Sequence, residues 1–249
     1  MKSIKILFLL AAPLLYGCAS SKPVPYQAKW QDHSLFYQSS PTDQVDMKSR
    51  LKFGVQNNDE MLFATISTRE PEIISRIITN GVKLSVYPPG ERKKGMKVLF
   101  PVVLKEDRRA IRRMDQVEML GPSMQLLLET FNKEAIVDRG SGERFVNLVD
   151  ADNDLYCRIN MTVDGELTIN YILPLNYITP IRQDVVTFNL SIADNSRSGF
   201  SPGISVGMGS YGGIGMGGMG VGVGTGGRNA YRSQPIDLKL DVNLAKAGS

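Results

Sequence analysis

The chain has 249 residues, one histidine, two cysteines and a formal net charge of +4. The cysteines are Cys18 and Cys157, so the usual Cys and His ligand sets of zinc cannot be assembled. Because Cys18 lies directly after an N-terminal leader and outside the domain, we also expect no disulfide within the domain. The charge excess is small and gives no indication of a nucleic-acid partner.

The first 17 residues are typical of an export signal. Two lysines precede an apolar run over residues 6–15, which is too short for a transmembrane helix of about 20 residues. The run leads into Leu15-Tyr16-Gly17-Cys18, which resembles the lipobox of bacterial lipoproteins. Tyr16 departs from the small residue that the pattern favours. Ordinary signal-peptide cleavage after Ala19 is the alternative.

The lipobox resemblance implies that Cys18 becomes the acylated first residue of the mature chain. The resemblance also implies that Cys18 carries three acyl chains. Since two chains already give stable membrane anchoring, three would make the anchor effectively permanent. Because Ala19 follows the cysteine where an acidic residue would oppose sorting, it also implies the outer membrane, with the domain facing the periplasm. We therefore expect a cell-envelope protein whose lipid holds it at a membrane, with an envelope protein or a glycan as candidate partner and no nucleic-acid partner.

Residues 18–44 are predicted to form a polar tether whose later aromatic residues pack on the domain. Residues 45–249 show the alternation of apolar and polar positions that is typical of β-strands. The clearest case is Leu155–Leu173, where Asp164-Gly165 predicts a hairpin with Cys157 and Tyr171 on the inner side. We expect an all-β fold, an antiparallel β-sandwich of about nine strands with one or two short helices.

Three segments interrupt the strand pattern. Residues 71–80 begin with proline and carry isoleucines on one face, which predicts a short helix, and residues 105–131 also indicate helix. Residues 199–227 are about half glycine and are predicted to form a flexible loop inserted into a hairpin. The alternative for this loop is an apolar flap that faces a membrane or a partner.

Residues 53–101 resemble a group of β-sandwich domains. Residues 53–63 match a strand, an Asn-Asp turn and a second apolar strand, and the helix ending at Asn80-Gly81 and the two strands after it complete the match. The group includes family 9 carbohydrate-binding modules and DOMON-like domains, and the match covers about a fifth of the chain. The resemblance implies the sandwich fold and, in members that bind sugar, a pair of aromatic rings around the ligand.

The candidate glycan contacts are therefore aromatic. Trp30 is the only tryptophan, and Tyr87 and Tyr156 are tyrosines that can substitute for one. The alternative is that Trp30 fastens the N-terminal segment to the sandwich.

The acidic stretch before residue 155 gives weak calcium candidates in Asp150, Asp152 and Asp154, because calcium is bound by several oxygen ligands. Leu155 stands where a calcium loop would need glycine, which favours an ordinary acidic turn. The resemblance also implies haem as a candidate cofactor, because some DOMON-like domains bind it through histidine and methionine. His33 is the only histidine of the sequence, so we expect no cofactor.

The helical region carries four arginines, at positions 108, 109, 112 and 113. They can meet lipid phosphates, but acidic neighbours favour an ordinary solvated face. A nucleophile elbow is missing from the sequence, and Cys157 falls on the inner side of a strand. We expect a non-enzymatic, lipid-anchored binding or structural protein of the envelope. A glycan-binding accessory module is the alternative, and an envelope hydrolase that uses two carboxylates is third.

Overall fold

The computed structural model describes residues 24–31, 41–111, 114, 121–150, 153–178, 184–192 and 236–247. Within them lie thirteen strands and four short helices. The strands are β1 Tyr26–Gln27, β2 Lys29–Trp30, β3 Gln44–Asp46, β4 Leu51–Asn57, β5 Met61–Thr68, β6 Val82–Tyr87, β7 Met96–Phe100, β8 Glu134–Asp138, β9 Glu143–Asn147, β10 Tyr156–Met161, β11 Leu167–Pro174, β12 Val185–Ile192 and β13 Ile236–Asn243. The helices are α1 Pro71–Asn80, α2 Lys105–Ile111, α3 Pro122–Phe131 and α4 Leu175–Ile178.

The strands form two sheets, which confirms the predicted β-sandwich. One sheet has seven strands in the order β1-β13-β12-β6-β7-β8-β9, and the other has six, in the order β10-β11-β5-β4-β2 with β3 also paired to β4. The pairings are antiparallel except for two-residue parallel pairings of β1 with β13 and of β2 with β4. A single apolar core lies between the sheets, where the Phe100 and Tyr171 rings meet edge to face at 6.2 Å.

The β10–β11 hairpin matches its prediction closely. Cys157 pairs with Tyr171, and both side chains are buried in the core. Gly165 lies in the turn at φ 77°, a conformation that favours glycine. The same alternation predicts Val163 on the inner side, which is wrong, because β10 ends at Met161 and the Val163 side chain is fully exposed in the turn.

Helix α1 also forms where the sequence predicts it. Its buried face carries the four isoleucines, and the helix ends at Gly81, whose backbone N–H donates to the Ile77 carbonyl at 2.8 Å. Gly81 has φ 74°, and a Cβ there would overlap the Pro101 carbonyl oxygen. Glycine at this position therefore lets the chain leave the helix and enter β6 without a clash.

The first part of the predicted tether is hydrogen-bonded into the two sheets. β1 pairs with β13 of one sheet and β2 pairs with β4 of the other, so that residues 26–30 fasten both sheets. The Tyr26 ring lies 5.5 Å from that of Phe53, and the Tyr26 hydroxyl donates to Asp43 at 3.0 Å. Burial is the main cause that raises the Tyr26 pKa. The packing of tether aromatics on the domain therefore begins as early as Tyr26.

Helix α3 protects the exposed edge of the six-stranded sheet. β10 is the edge strand, and the Asn132 side chain just after α3 accepts from the Ile159 N–H at 2.7 Å and donates to the Ile159 carbonyl at 3.1 Å. Gln125 donates to the Met161 carbonyl at 3.0 Å. Covering an edge in this way prevents pairing with another chain.

Several predictions fall on residues outside the described ranges: the leader 1–17, Cys18, His33, Arg112, Arg113, Asp152 and the glycine-rich segment 199–227. In the part of the chain that the structure describes, no helix has both the length and the apolar character needed to cross a membrane.

Candidate functional site

A groove of about 950 Å³ opens at one end of the sandwich, where the two sheets meet. The β4–β5 turn and the junction of β11 with α4 line it from the six-stranded sheet. The start of β12 and residues 244–247 after β13 line it from the seven-stranded sheet. We call this feature the end groove. Its volume lies in the range of ligand pockets.

A reciprocal pair of hydrogen bonds joins the two sheets beneath the end groove. The Asn57 side chain donates to the Ala245 carbonyl at 3.0 Å and accepts from the Ala245 N–H at 2.7 Å. Asn57 is only 2% exposed and Ala245 is partly buried, so these bonds are only partly open to water. They tie the end of β4 to the chain after β13, across 188 positions of sequence.

Further backbone contacts fix the groove walls. The Asn58 side-chain oxygen accepts from the Glu60 and Met61 N–H groups at 2.9 and 2.7 Å, which shapes the β4–β5 turn. The Leu175 N–H donates to the Glu60 carbonyl at 2.7 Å. The Leu244 N–H donates to the Asp184 carbonyl, also at 2.7 Å. The groove is thus built from fixed backbone segments.

Acidic and amide side chains dominate the polar lining. The carboxylates are Asp59, Glu60, Asp154 and Asp184, and Lys246 is the lining cation among the described residues. Lys246 lies 2.9 Å from Asp184. Asp154 accepts from Arg139 at 2.5 Å, and the Arg139 guanidinium lies 3.9 Å above the Tyr177 ring. This set of acceptors and amides suits a polar ligand with several hydrogen-bonding groups.

The three aromatic glycan candidates do not converge. Trp30 and Tyr156 lie on strands β2 and β10, which are four strands apart in the six-stranded sheet, or roughly 19 Å. Tyr87 belongs to β6 of the other sheet and is 5% exposed, which leaves little ring face open for a sugar. Trp30 is partly buried and pairs in register with Asn57. Individual contacts to a glycan stay a prediction.

The acidic stretch forms turns around residue 153. The Asn153 N–H donates to the Asp150 carbonyl at 3.2 Å, and its side-chain amide donates to the Leu155 carbonyl at 2.8 Å. Asp154 is paired with Arg139, as described above. Among the described residues, no group of three or more His, Cys, Asp or Glu side chains is placed to hold a metal.

Cys157 lies in the core and is 2% exposed. Burial raises the pKa of its thiol well above the ordinary value, which disfavours the reactive thiolate. Arg108 and Arg109 lie on the short helix α2, beside Glu106 and Asp107.

Comparisons with known proteins add the following. No family model matches the chain, and no curated protein matches it. Among solved structures, the chain is similar to a family 9 carbohydrate-binding module from Caldicellulosiruptor kristjanssonii in complex with glucose. The TM-score is 0.30 and the identity 11%, over 68% of this chain and 79% of that chain. A likeness of this strength says nothing about what this chain binds.

Sequence reasoning missed the end groove. Its walls come from five separate segments, and neither the Asn57 pair with Ala245 nor the Leu175 bond to Glu60 leaves a local pattern. The one available signal is Asn57-Asn58 at a turn, since asparagine side chains often bond to nearby backbone.

Proposed function

We propose that this chain is a non-enzymatic binding protein of the cell envelope, lipid-anchored through Cys18, that takes its ligand in the end groove. The observation that carries the binding role is the groove itself. It has the volume of a ligand pocket, and the hydrogen bonds of Asn57 and Asn58 fix its walls. Fixed walls favour binding because little conformational entropy is lost when the ligand enters.

The fastening of β1 and β2 limits how far the domain stands from an anchor at Cys18. Tyr26 begins β1 eight positions later, and eight extended residues span at most about 28 Å. Tyr26 pairs with Val242, which is two residues from Leu244 in the groove lining. The groove therefore stays close to the membrane surface, which we propose is the periplasmic face of the outer membrane. Its ligand must be within reach of that surface.

A glycan is the ligand class that the groove chemistry favours. Sugar hydroxyls both donate and accept hydrogen bonds, and the groove offers carboxylate acceptors beside amides such as Asn176. The carboxylates outnumber the lining cations of the described residues, so a neutral or amine-bearing sugar fits better than an acidic one. The partial family resemblance of residues 53–101 points in the same direction.

The test is binding of the full chain, in detergent, to an array of neutral, amine-bearing and acidic envelope oligosaccharides. We expect the first two classes to bind, with calorimetry giving dissociation constants in the micromolar range. Glu60→Gln combined with Asn176→Ala removes two exposed groove groups and should weaken binding by about tenfold or more, the usual effect of losing such hydrogen bonds.

The matched control is Glu134→Gln combined with Asn160→Ala, which changes the same chemical groups at exposed positions away from the groove. It should bind as the unchanged chain does. Binding that both double variants weaken equally would argue against the groove as the site. A chain that binds none of the sugars would argue against the glycan candidate.

A further inference from the structure

A second cleft, of about 680 Å³, lies on the outer face of the seven-stranded sheet. The loop between β6 and β7 forms one wall, and outward-facing side chains of β6, β12 and β13 form the other. Thr187 and Tyr87 are register partners on adjacent strands at its inner end. We call this feature the basic cleft.

Cations dominate the lining of the basic cleft. They are Arg92, Lys93, Lys94 and Lys239, against the single lining carboxylate Glu91. Glu91 is engaged by Lys94, whose Nζ lies 2.8 Å from it. The other three cations are exposed, and within the described part of the chain they have neither hydrogen-bond nor ion-pair partners. Asp241, next to Lys239 on β13, instead accepts from the Thr187 hydroxyl at 2.7 Å.

A buried hydroxyl in the same cleft also lacks a partner. Tyr87 lines the cleft and is 5% exposed, and its hydroxyl contacts neither solvent nor any hydrogen-bonding group of the described residues. A buried hydroxyl without a partner is costly, so such groups are usually satisfied. A ligand oxygen in the cleft would supply the missing acceptor.

The loop wall is held in place by close packing. Gly95 has φ 110°, and its Cα hydrogen packs so closely that a Cβ there would lie 2.8 Å from the Tyr87 Cα. Within the loop, the Glu91 N–H donates to the Pro88 carbonyl at 3.0 Å and the Lys94 N–H donates to the Glu91 carbonyl at 2.9 Å. The exposed cations are thus carried by a turn of fixed shape next to the Tyr87 hydroxyl.

We propose that the basic cleft binds a phosphate group, with Arg92, Lys93 and Lys239 as counter-charges and the Tyr87 hydroxyl as a hydrogen-bond donor. A phosphate carries several acceptor oxygens and up to two negative charges, so it can satisfy guanidinium, ammonium and hydroxyl donors together. Because the Tyr87 hydroxyl has no contact with solvent, binding requires the exposed side chains of Arg92, Lys93 and Lys94 to shift around the fixed turn so that a phosphate oxygen reaches it. The phosphate comes either from a free phosphate compound or from a lipid headgroup.

The experiment is calorimetric titration of the full chain in detergent at low salt, with inorganic phosphate and with soluble dihexanoyl phosphatidylglycerol. Dihexanoyl phosphatidylcholine, whose headgroup has no net charge, is the lipid control. Arg92→Ser combined with Lys93→Ser should weaken phosphate binding by about tenfold or more. Arg144→Ser combined with Lys133→Ser removes two exposed cations elsewhere and should leave binding unchanged.

Tyr87→Phe separates a ligand role from a merely structural one, because it keeps the ring and removes only the hydroxyl. We expect phosphate binding about threefold to tenfold weaker, while the melting temperature without phosphate stays the same or rises. A rise in melting temperature with unchanged phosphate affinity would show that the Tyr87 hydroxyl does not contact the phosphate.

The two ligands distinguish the sources of phosphate. Binding of inorganic phosphate at lower concentration than the glycerol lipid supports a free phosphate compound, and the reverse order supports a lipid headgroup. Equal binding by the two double variants, or the absence of binding by both inorganic phosphate and phosphatidylglycerol, would overturn the proposal. Loss of sugar binding in the end groove would leave this result unaffected, because the residues are different.

Discussion

The end groove lies at one end of the sandwich and the basic cleft on the outer face of the seven-stranded sheet, and the fold uses their polar groups differently. In the groove, Asn57 and Asp184 are engaged in hydrogen bonds or ion pairs that join separate segments. In the cleft, Arg92, Lys93 and Lys239 form no such bonds with the described residues. Side chains that a fold does not need for its own stability are available for a ligand. Removing polar groups should therefore damage the fold at the groove and spare it at the cleft.

Asn57→Ala should have the largest effect on stability. It removes the reciprocal bonds to Ala245 and leaves partly buried backbone groups without these partners, at a cost of about 3 kcal/mol with the lost packing of the buried side chain. Urea denaturation measures this loss. Asn160→Ala is the control, because Asn160 is exposed on β10 and its loss should change stability by less than about 0.5 kcal/mol. If the two variants unfold at the same urea concentration, the groove is not held by Asn57.

Gly95→Ala tests the packing of the cleft wall. A Cβ at this position would overlap the Val86 carbonyl oxygen and crowd the Tyr87 Cα, so we expect a loss of about 2 kcal/mol and weaker phosphate binding. Gly90→Ala is matched, since Gly90 also has a positive φ, of 80°, but has nothing near its Cβ position. It should cost about 1 kcal/mol, from backbone strain alone. Equal losses of stability in the two variants would show that the β6–β7 loop moves aside easily and is not held by packing at Gly95.

Acid should weaken the fold through groups outside both regions. The pKa of Glu166 is lowered, chiefly by the hydrogen bond from Ser67 and also by Arg69. A folded-state pKa below the unfolded value means that this stabilisation is present above pH 4.5, the ordinary value, and is lost as the pH falls below it. Glu166→Gln should lower the free energy of unfolding by about 1 kcal/mol at pH 7. It should also make the decrease in stability between about pH 5 and pH 3 smaller than in the unchanged chain. An unchanged acid profile would exclude Glu166 as its source.

The smallest stability effect is expected in the basic cleft. Arg92→Ser combined with Lys93→Ser removes two exposed cations and should change the free energy of unfolding by less than about 0.5 kcal/mol. Relief of like-charge repulsion makes a slight gain the expected sign. A loss above 1 kcal/mol in thermal or urea unfolding would mean that the fold depends on these side chains after all.

The sequence predicts what local pattern controls. The inward positions of β10 and β11, the turn at Gly165 and the buried isoleucines of α1 all follow from residue spacing, and the structure confirms them. Contacts made by single polar side chains across long stretches of chain have no such period. The Asn57 pair with Ala245 and the Asn132 bonds to Ile159 are examples. The end groove depends on contacts of this second kind, and the basic cleft depends on the pairing of β6, β12 and β13, which brings distant segments together, so the sequence predicted neither region.

The N-terminal segment shows the same limit. Its polar composition indicates a tether, yet β1 and β2 are two-residue strands that form because strand edges were open beside them. The amide protons of Ala28 and Gln31, which donate to Asn243 and Asn57, should exchange slowly if this fastening is correct.

The most direct test of the account is metabolic labelling with an alkyne-tagged palmitate, followed by membrane fractionation, in three chains. The unchanged chain and Cys157→Ser should both carry the label and stay with the outer membrane, because Cys157 is buried in the core. Cys18→Ser should carry no label and leave the membrane fraction. Label that persists in Cys18→Ser, or an unchanged chain that is never labelled, would contradict the proposal that this domain is held at a membrane by its first mature residue.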